Sequence, residues 1–244
     1  YATEEVWSWT HADSIHRAPW PSVTGSTLPA DADPKVLTAV SQALAGVRRA
    51  KSRFGSRLQL FVNLDVQLYV GKNLATISQA DTVDYFGARL IEDYERYTAA
   101  CAVLESAERL AFADAAHDPY LYESVTATLE RLQTADPTMT LDAFLLQAMA
   151  HAGWAPSLFN CAQCNRPGPH HAFHPAVGGA ACHECRPPGA AEVDPETLHH
   201  LWLLAHNHPT NPTNAQKQEG HRLARAHLQW HMERNVSALQ VMEQ

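Results

Sequence analysis

Apolar residues follow two different periods along this chain, and the changes of period mark its elements. At the start, Thr3-Glu4-Glu5-Val6-Trp7-Ser8-Trp9 reads as a short helix with Thr3 as N-cap, followed by a Pro-rich, Gly-containing loop from Ala18 to Pro29. Asp33 then caps a helix with Pro34 at its first position, and Leu37, Val40, Leu44 and Val47 form its apolar stripe. Over residues 58–79 the period drops to two. Leu64, Val66, Leu68 and Val70 alternate with Asp65, Gln67 and Tyr69 ahead of a Gly71-Lys72-Asn73 turn, which predicts a β-hairpin. Helical spacing returns from Asp84. Phe86, Leu90, Tyr94, Tyr97, Cys101 and Leu104 make one stripe, Leu121, Val125, Leu129 and Leu132 a second, and Leu141 to Met149 a third. Gly153 and Pro156 punctuate the end of that third helix. Asp194-Pro195-Glu196 starts another through Leu198, Leu201 and Leu204, and a last helix runs from about Ala215 through Trp230. The segment between, from His206 to Asn214, reads as a turn region and little more.

Between the third helix and the next the pattern is interrupted by cysteines. Four of the five fall as Cys161-Ala-Gln-Cys164, then 17 residues, then Cys182-His-Glu-Cys185. Each CxxC turns two sulfurs the same way, and four thiolates surround one ion tetrahedrally, so the spacing predicts a zinc site. HAFHPAVGGAAC supplies the return: a short strand, a Pro-Ala-Val-Gly-Gly turn and a second short strand. With four sulfurs and no position left for water, the expected role is structural. Paired disulfides are disfavoured in a chain without a secretion signal, and the flanking Pro167, Pro169, Pro187 and Pro188 argue against the helix that a redox CxxC opens. His170, His171, His174 and His183 lie close enough to replace a Cys ligand. Cys101, set apart within a helical stripe, reads as a small buried apolar side chain.

Composition bounds the function. The 244 residues are 45% hydrophobic with a net charge of −8, enough to bury a core. No apolar run approaches the ~20 residues needed to cross a bilayer, and none resembles a signal peptide, so a cytoplasmic protein is expected, with no membrane partner. Because the chain begins at Tyr1, it is read as incomplete at that end. Residues 1–52 hold five basic and five acidic side chains, whereas residues 53–244 hold 13 against 21, so the body repels phosphate on average. The one dense basic string is Arg48, Arg49, Lys51, Arg53 and Arg57. It serves either as a set of phosphate contacts or as the solvated end of a helix, where the dipole favours cations. Phe61 and Tyr69 are candidates for base stacking if they face a groove, though alternation equally places Phe61 in the core. Enzyme signatures are missing. His227-Leu-Gln-Trp-His231 lacks the Glu of a metalloprotease helix, there is no phosphate-binding Gly-rich loop, and Glu105 and Glu108 beside Arg109 read as a solvated, ion-paired face. A protein without a catalytic residue is the expectation.

Two resemblances cover different parts of the chain. VRRAKSRFGSRL, DVQLYVGKNLATISQA, YTAACAVLESAERL, LDAFLLQAMAHAGWAP, the Cys quartet and LQWHMER, in that order from about residue 47 onward, are similar to an actinobacterial member of the RecO family of DNA repair and recombination mediators. TEEVWSW, SIHRAPWP and DADPKVLTAVSQALAGVRRAKS, over residues 1–52, resemble the C-terminal helical region of valyl-tRNA synthetase, and GVRRAKS fits both families. No HIGH-type or KMSKS-type signature accompanies the second likeness, so an aminoacylation activity is not expected. The first implies an oligonucleotide-binding β-barrel followed by a helical domain with a zinc module. Here the strands that should precede residue 47 are replaced. The expected fold is therefore α+β and mainly α-helical, divided as 1–52 (synthetase-like), 53–80 (residual strands of an OB-type barrel) and 81–244 (helical domain with a zinc module at 158–189). The RecO likeness also implies a non-enzymatic role near the nucleoid. It would bind single-stranded and duplex DNA through Arg48, Arg49, Lys51, Arg53 and Arg57, anneal strands, and cooperate with RecR and the single-strand-binding protein.

Overall fold

A computed structural model of the chain describes residues 4–11, 60–70, 75–111 and 119–232, giving the backbone alone for 4–11, 66–70, 75–78, 111 and 119. The predicted helix at residues 33–47, the basic string and the Gly71-Lys72-Asn73 turn lie outside the described residues. Two compact units divide the rest.

The first unit holds an antiparallel sheet in the order β1-β2-β3, with β1 at Glu4–His11, β2 at Val62–Val70 and β3 at Ala75–Tyr85. The short helix expected at residues 3–9 is thus a strand, paired along its length with β2 from Glu4 opposite Tyr69 to His11 opposite Val62. Its Val6, Trp7, Trp9 and Thr10 suit a pleated surface, and a helix of seven residues is too short to hold itself without tertiary support. The hairpin forms as expected, but it is two strands of three, and among the described residues the sheet stays open. Register slips between Asn63 and Leu64 and between Gln67 and Leu68 bulge β3 outward, leaving Val83 exposed. Phe61 is fully buried, meets Tyr97 edge-on at 5.8 Å and accepts a backbone bond from Phe86 at 2.9 Å, which removes it as a stacking candidate.

The single helix expected from Asp84 onward is broken. β3 continues to Tyr85, one helical turn follows (α1, Gly87–Leu90), and α2 starts afresh at Tyr94–Ala111. Asp93 is the cause: its carboxylate accepts from the N–H groups of Glu95 and Arg96 at 2.9 and 3.1 Å, an N-cap inside what looked like a continuous stripe. Tyr94, expected on the buried face, is therefore exposed. Farther along α2, residues 98–100 and 102–107 are all buried. Glu105 is among them, so it does not belong to a solvated face: this helix has no wet side along that stretch. Cys101 is half-buried. α3, Pro119–Leu132, buries Leu121, Val125, Leu129 and Leu132 as predicted, and its terminal Leu132 carbonyl accepts from Arg96.

The second unit is organised around α4, Pro137–His151, which buries Leu141 through Leu146 without interruption. Asp136 caps it, accepting from the Met139 N–H at 2.9 Å and from Lys217 Nζ at 2.8 Å. Burial opposes the charge of Asp136, yet those donors hold its carboxyl below the usual carboxylate range. α5, Pro195–Ala205, and α6, Asn214–His231, complete the core with Leu198, Leu201, Leu223 and Leu228. Asp194 caps α5 with Pro195 at its first position, and Thr213 with Gln216 forms a reciprocal capping box on α6. No helix among the described residues is long and apolar enough to cross a membrane.

Candidate metal centre

The excursion between α4 and α5 is built on local backbone chemistry. In the first knuckle the Asn165 N–H bonds the Cys161 carbonyl at 2.9 Å, and Asn165 adopts a left-handed φ of 58°. The Cys161 N–H returns to the Arg166 carbonyl at 2.8 Å. In the second, the Cys185 N–H bonds the Cys182 carbonyl at 3.1 Å. Between them β4 (Ala172–His174) and β5 (Gly179–Ala181) pair as the predicted hairpin, with the turn wound as one 3₁₀ turn over Pro175–Val177 and with β6 (Ala191–Glu192) on the other side of β4. Gly178 and Gly179 both have positive φ, 92° and 129°. At Gly179 a Cβ would stand 2.4 Å from the Ser157 carbonyl oxygen, so only glycine lets the hairpin reach back to the chain leaving α4.

This return brings the ligands together. The Sγ atoms of Cys161, Cys164, Cys182 and Cys185 all lie within 4.8 Å of one another, and those of Cys164 and Cys182 are 3.7 Å apart. A disulfide needs about 2.05 Å. A tetrahedron of metal–sulfur bonds of about 2.3 Å has sulfur–sulfur edges of about 3.8 Å. The spacing fits a shared cation and excludes a bond between these two sulfurs. Charge tells the same story. Burial opposes ionisation of Cys161, but backbone N–H groups of Cys182, Cys164 and Gln163 point at its sulfur and bring its pKa down to about 6. Cys185 moves the other way, its proton shared with the sulfurs of Cys182 and Cys164, and is pushed up to about 12. Cys161 ionises easily while Cys185 is held back by the neighbouring sulfurs, a conflict that a divalent ion resolves. These four residues can hold one metal ion.

Histidine does not enter the cluster. His170 Nε2 meets the Arg166 carbonyl at 3.0 Å, and His174 Nδ1 accepts from the Ala176 N–H at 3.1 Å. Arg166 and Glu184, one from each knuckle, form an exposed ion pair at 2.9 Å across the site. Behind the sulfurs Leu158, Phe173, Ala180 and Val193 make a small apolar core, and Phe173 meets His227 of α6 at 6.0 Å.

His227 belongs to that packing: its Nε2 lies 2.9 Å from the Trp154 carbonyl, and the His231 ring lies parallel to Trp154. Burial lowers the His227 pKa to about 4, against the opposing pull of the Trp154 carbonyl. The imidazole is neutral in the native state at pH 7 and donates to that carbonyl. Between pH about 6.5 and 4 the unfolded chain takes up a proton that the native chain refuses, so stability falls as the pH falls, by at most ~3 kcal/mol. His227→Gln, compared with the unmodified chain by urea unfolding at pH 7 and pH 5, is expected to show the smaller loss on acidification; equal losses would remove His227 from the account.

Arg48, Arg49, Lys51, Arg53 and Arg57 lie outside the described residues. Two arrangements were not foreseen from sequence. Fully buried Asp142 on α4 meets His221 Nδ1 on α6 at 2.7 Å, and Trp202 on α5 lies among three imidazoles. The signal for the first is a lone Asp inside the strongly apolar run Leu141–Met149.

Family comparison places these features in order along the chain. Residues 38–86 match the family model "Recombination protein O N terminal", a match that begins ahead of the string GVRRAKS, and residues 91–240 match "Recombination protein O C terminal", which spans α2 through α6 and the whole cysteine module. With both halves matched in sequence order over most of its length, the chain belongs to the recombination protein O family.

Proposed function

We propose that this chain is a recombination and repair mediator that binds single-stranded and duplex DNA and anneals complementary strands, with no chemical step of its own. Its partners in that reading are RecR and the single-strand-binding protein, and the ion in the Cys161, Cys164, Cys182, Cys185 cage is structural Zn²⁺. The observation that carries the reading is the match to both recombination protein O family models. The all-sulfur ligand set supports zinc and leaves no coordination position for a substrate. Arg48, Arg49, Lys51, Arg53 and Arg57 are the proposed phosphate contacts.

A second reading, an adaptor that docks protein partners without holding DNA, is favoured by the sheet that stays open among the described residues, where a closed barrel would otherwise offer its binding face. Salt separates the two. If all five cations contact phosphate on a single strand, log K against log salt has a slope of roughly −3.5, and neutralising Arg48, Arg49 and Lys51 to Gln lowers its magnitude by about 2. No binding at low salt leaves only the adaptor.

A further inference from the structure

The segment from His206 to Asn214, a plain turn by sequence, does more than connect α5 to α6. α5 ends in a tight reversal in which Asn207 takes a left-handed φ of 56°, the Asn207 N–H bonds the Leu204 carbonyl at 3.1 Å and the His208 N–H bonds the Leu203 carbonyl at 2.8 Å. Gln147 of α4 fixes this turn from the side, donating to Asn207 Oδ1 at 2.8 Å and to the Leu204 carbonyl at 3.2 Å. His206 Nδ1 lies 2.7 Å from the Trp202 carbonyl, which sets the ring against its own helix.

The result is a group of aromatic rings in near-parallel planes. Trp202 lies 4.3 Å from His206, 5.8 Å from His208 and 6.3 Å from His199, at interplanar angles of 27° to 31°, and His206 and His208 are inclined by only 13° to each other. All three imidazoles are exposed and Trp202 is half-buried. The rings are not gathered to fill a core, and hydrogen bonds hold the turn and the His206 ring, which lowers the side-chain freedom a planar guest would cost.

Charge narrows the guest. Residues 195–232 carry three Lys or Arg against two Glu and seven of the 15 histidines, in a chain of net charge −8. Glu196, 3.8 Å from His199 Nδ1, is the one carboxylate paired to the ring group among the described ion pairs. Lys217 and Arg222 are paired with Asp136 and Glu219, so this helix pair is near neutral within an acidic body, and flat aromatic faces with one carboxylate paired to them suit unpaired nucleobases.

We infer that Trp202 with His199, His206 and His208 is a stacking platform for unpaired bases of single-stranded DNA, separate in sequence from the basic string at residues 48–57. The platform rests on the DNA-binding reading above, and its test is chosen so that the two fail separately. Fluorescence anisotropy is measured with the full chain, a labelled oligothymidylate, and an abasic oligomer of the same length, which keeps the phosphates and lacks the bases. The native chain is expected to prefer oligothymidylate at least about fivefold. Trp202→Ala should bring that ratio close to one with the salt slope unchanged. Trp202→Phe keeps an aromatic face and most of the preference, and His208→Ala, on the exposed turn, reduces it without touching the core. A native ratio of one, or an undiminished ratio in Trp202→Ala, overturns the platform while leaving phosphate binding in place. Failure of the native chain to bind either oligomer at low salt overturns both.

Discussion

Cys182→Ser is expected to lose its metal ion and to loosen residues 158–189 while α4, α5 and α6 persist. Cys182 is 5% exposed, its sulfur stands 3.7 Å from that of Cys164, and its backbone N–H bonds the Cys161 sulfur at 3.4 Å. A serine oxygen sits on a shorter bond, is harder, and does not ionise near neutral pH, so the tetrahedron loses one corner. Structural zinc in small modules is worth apparent free energies of about 10–16 kcal/mol. Nothing else in this module approaches that. Its strands are two or three residues long, and such a sheet does not hold together unaided. The helices have their own supports in the caps at Asp136, Asp194 and Thr213 and the shared core of Leu145, Leu201 and Leu228. Elemental analysis should fall from one zinc per chain to near none, far-ultraviolet dichroism should keep most of its helical signal, and proteolysis should cut first within 158–189. A variant that keeps one zinc per chain would defeat the assignment of the cage.

His221→Phe is expected to cost about 3–5 kcal/mol at pH 7, because it strands a buried carboxylate. Asp142 is fully buried, and its contact of 2.7 Å with His221 Nδ1 ties α4 to α6. Burial raises the Asp142 pKa, while the hydrogen bond and charge of His221 act against that rise. Without His221 the carboxyl pKa climbs further. The native state then takes up a proton before the unfolded chain does, so this contribution to stability is present at low pH and lost as the pH rises through the native value. The penalty in His221→Phe therefore shrinks on acidification, opposite in sign to the behaviour traced to His227. Replacing both partners, as in Asp142→Leu with His221→Phe, should recover much of the loss because no charge is left unpaired. Urea unfolding of the single and double variants at pH 7 and pH 5 decides it; a single-variant cost below about 1 kcal/mol at pH 7 would mean that the pair carries no such weight.

Much of the site was legible in one dimension. CxxC spacing is a local geometric constraint, and the apolar-Pro-Gly-Gly pattern between the pairs specifies a hairpin by turn chemistry alone, so the sequence by itself groups Cys161, Cys164, Cys182 and Cys185 as one set, and the fold brings them together. The same holds for Asp194-Pro195 and for the stripes of α3 and α4, whose signals lie within a few residues of what they determine.

What only the tertiary structure decided depends on partners distant in sequence. Residues 4–11 are a strand because β2, more than fifty positions away, offers a ladder that outweighs a weak capping signal. Asp93 breaks a helix that periodicity would have run straight through, since a stripe does not reveal which acidic residue turns back on the backbone. Asp142 and His221 are 79 positions apart, and Trp202 acquires its ring neighbours only because Asn207 reverses the chain under the grip of Gln147. Local chemistry fixed the cage for metal. Long-range packing, through burial and through side chains brought together from different helices, set the Asp142–His221 contact and the exposed aromatic platform.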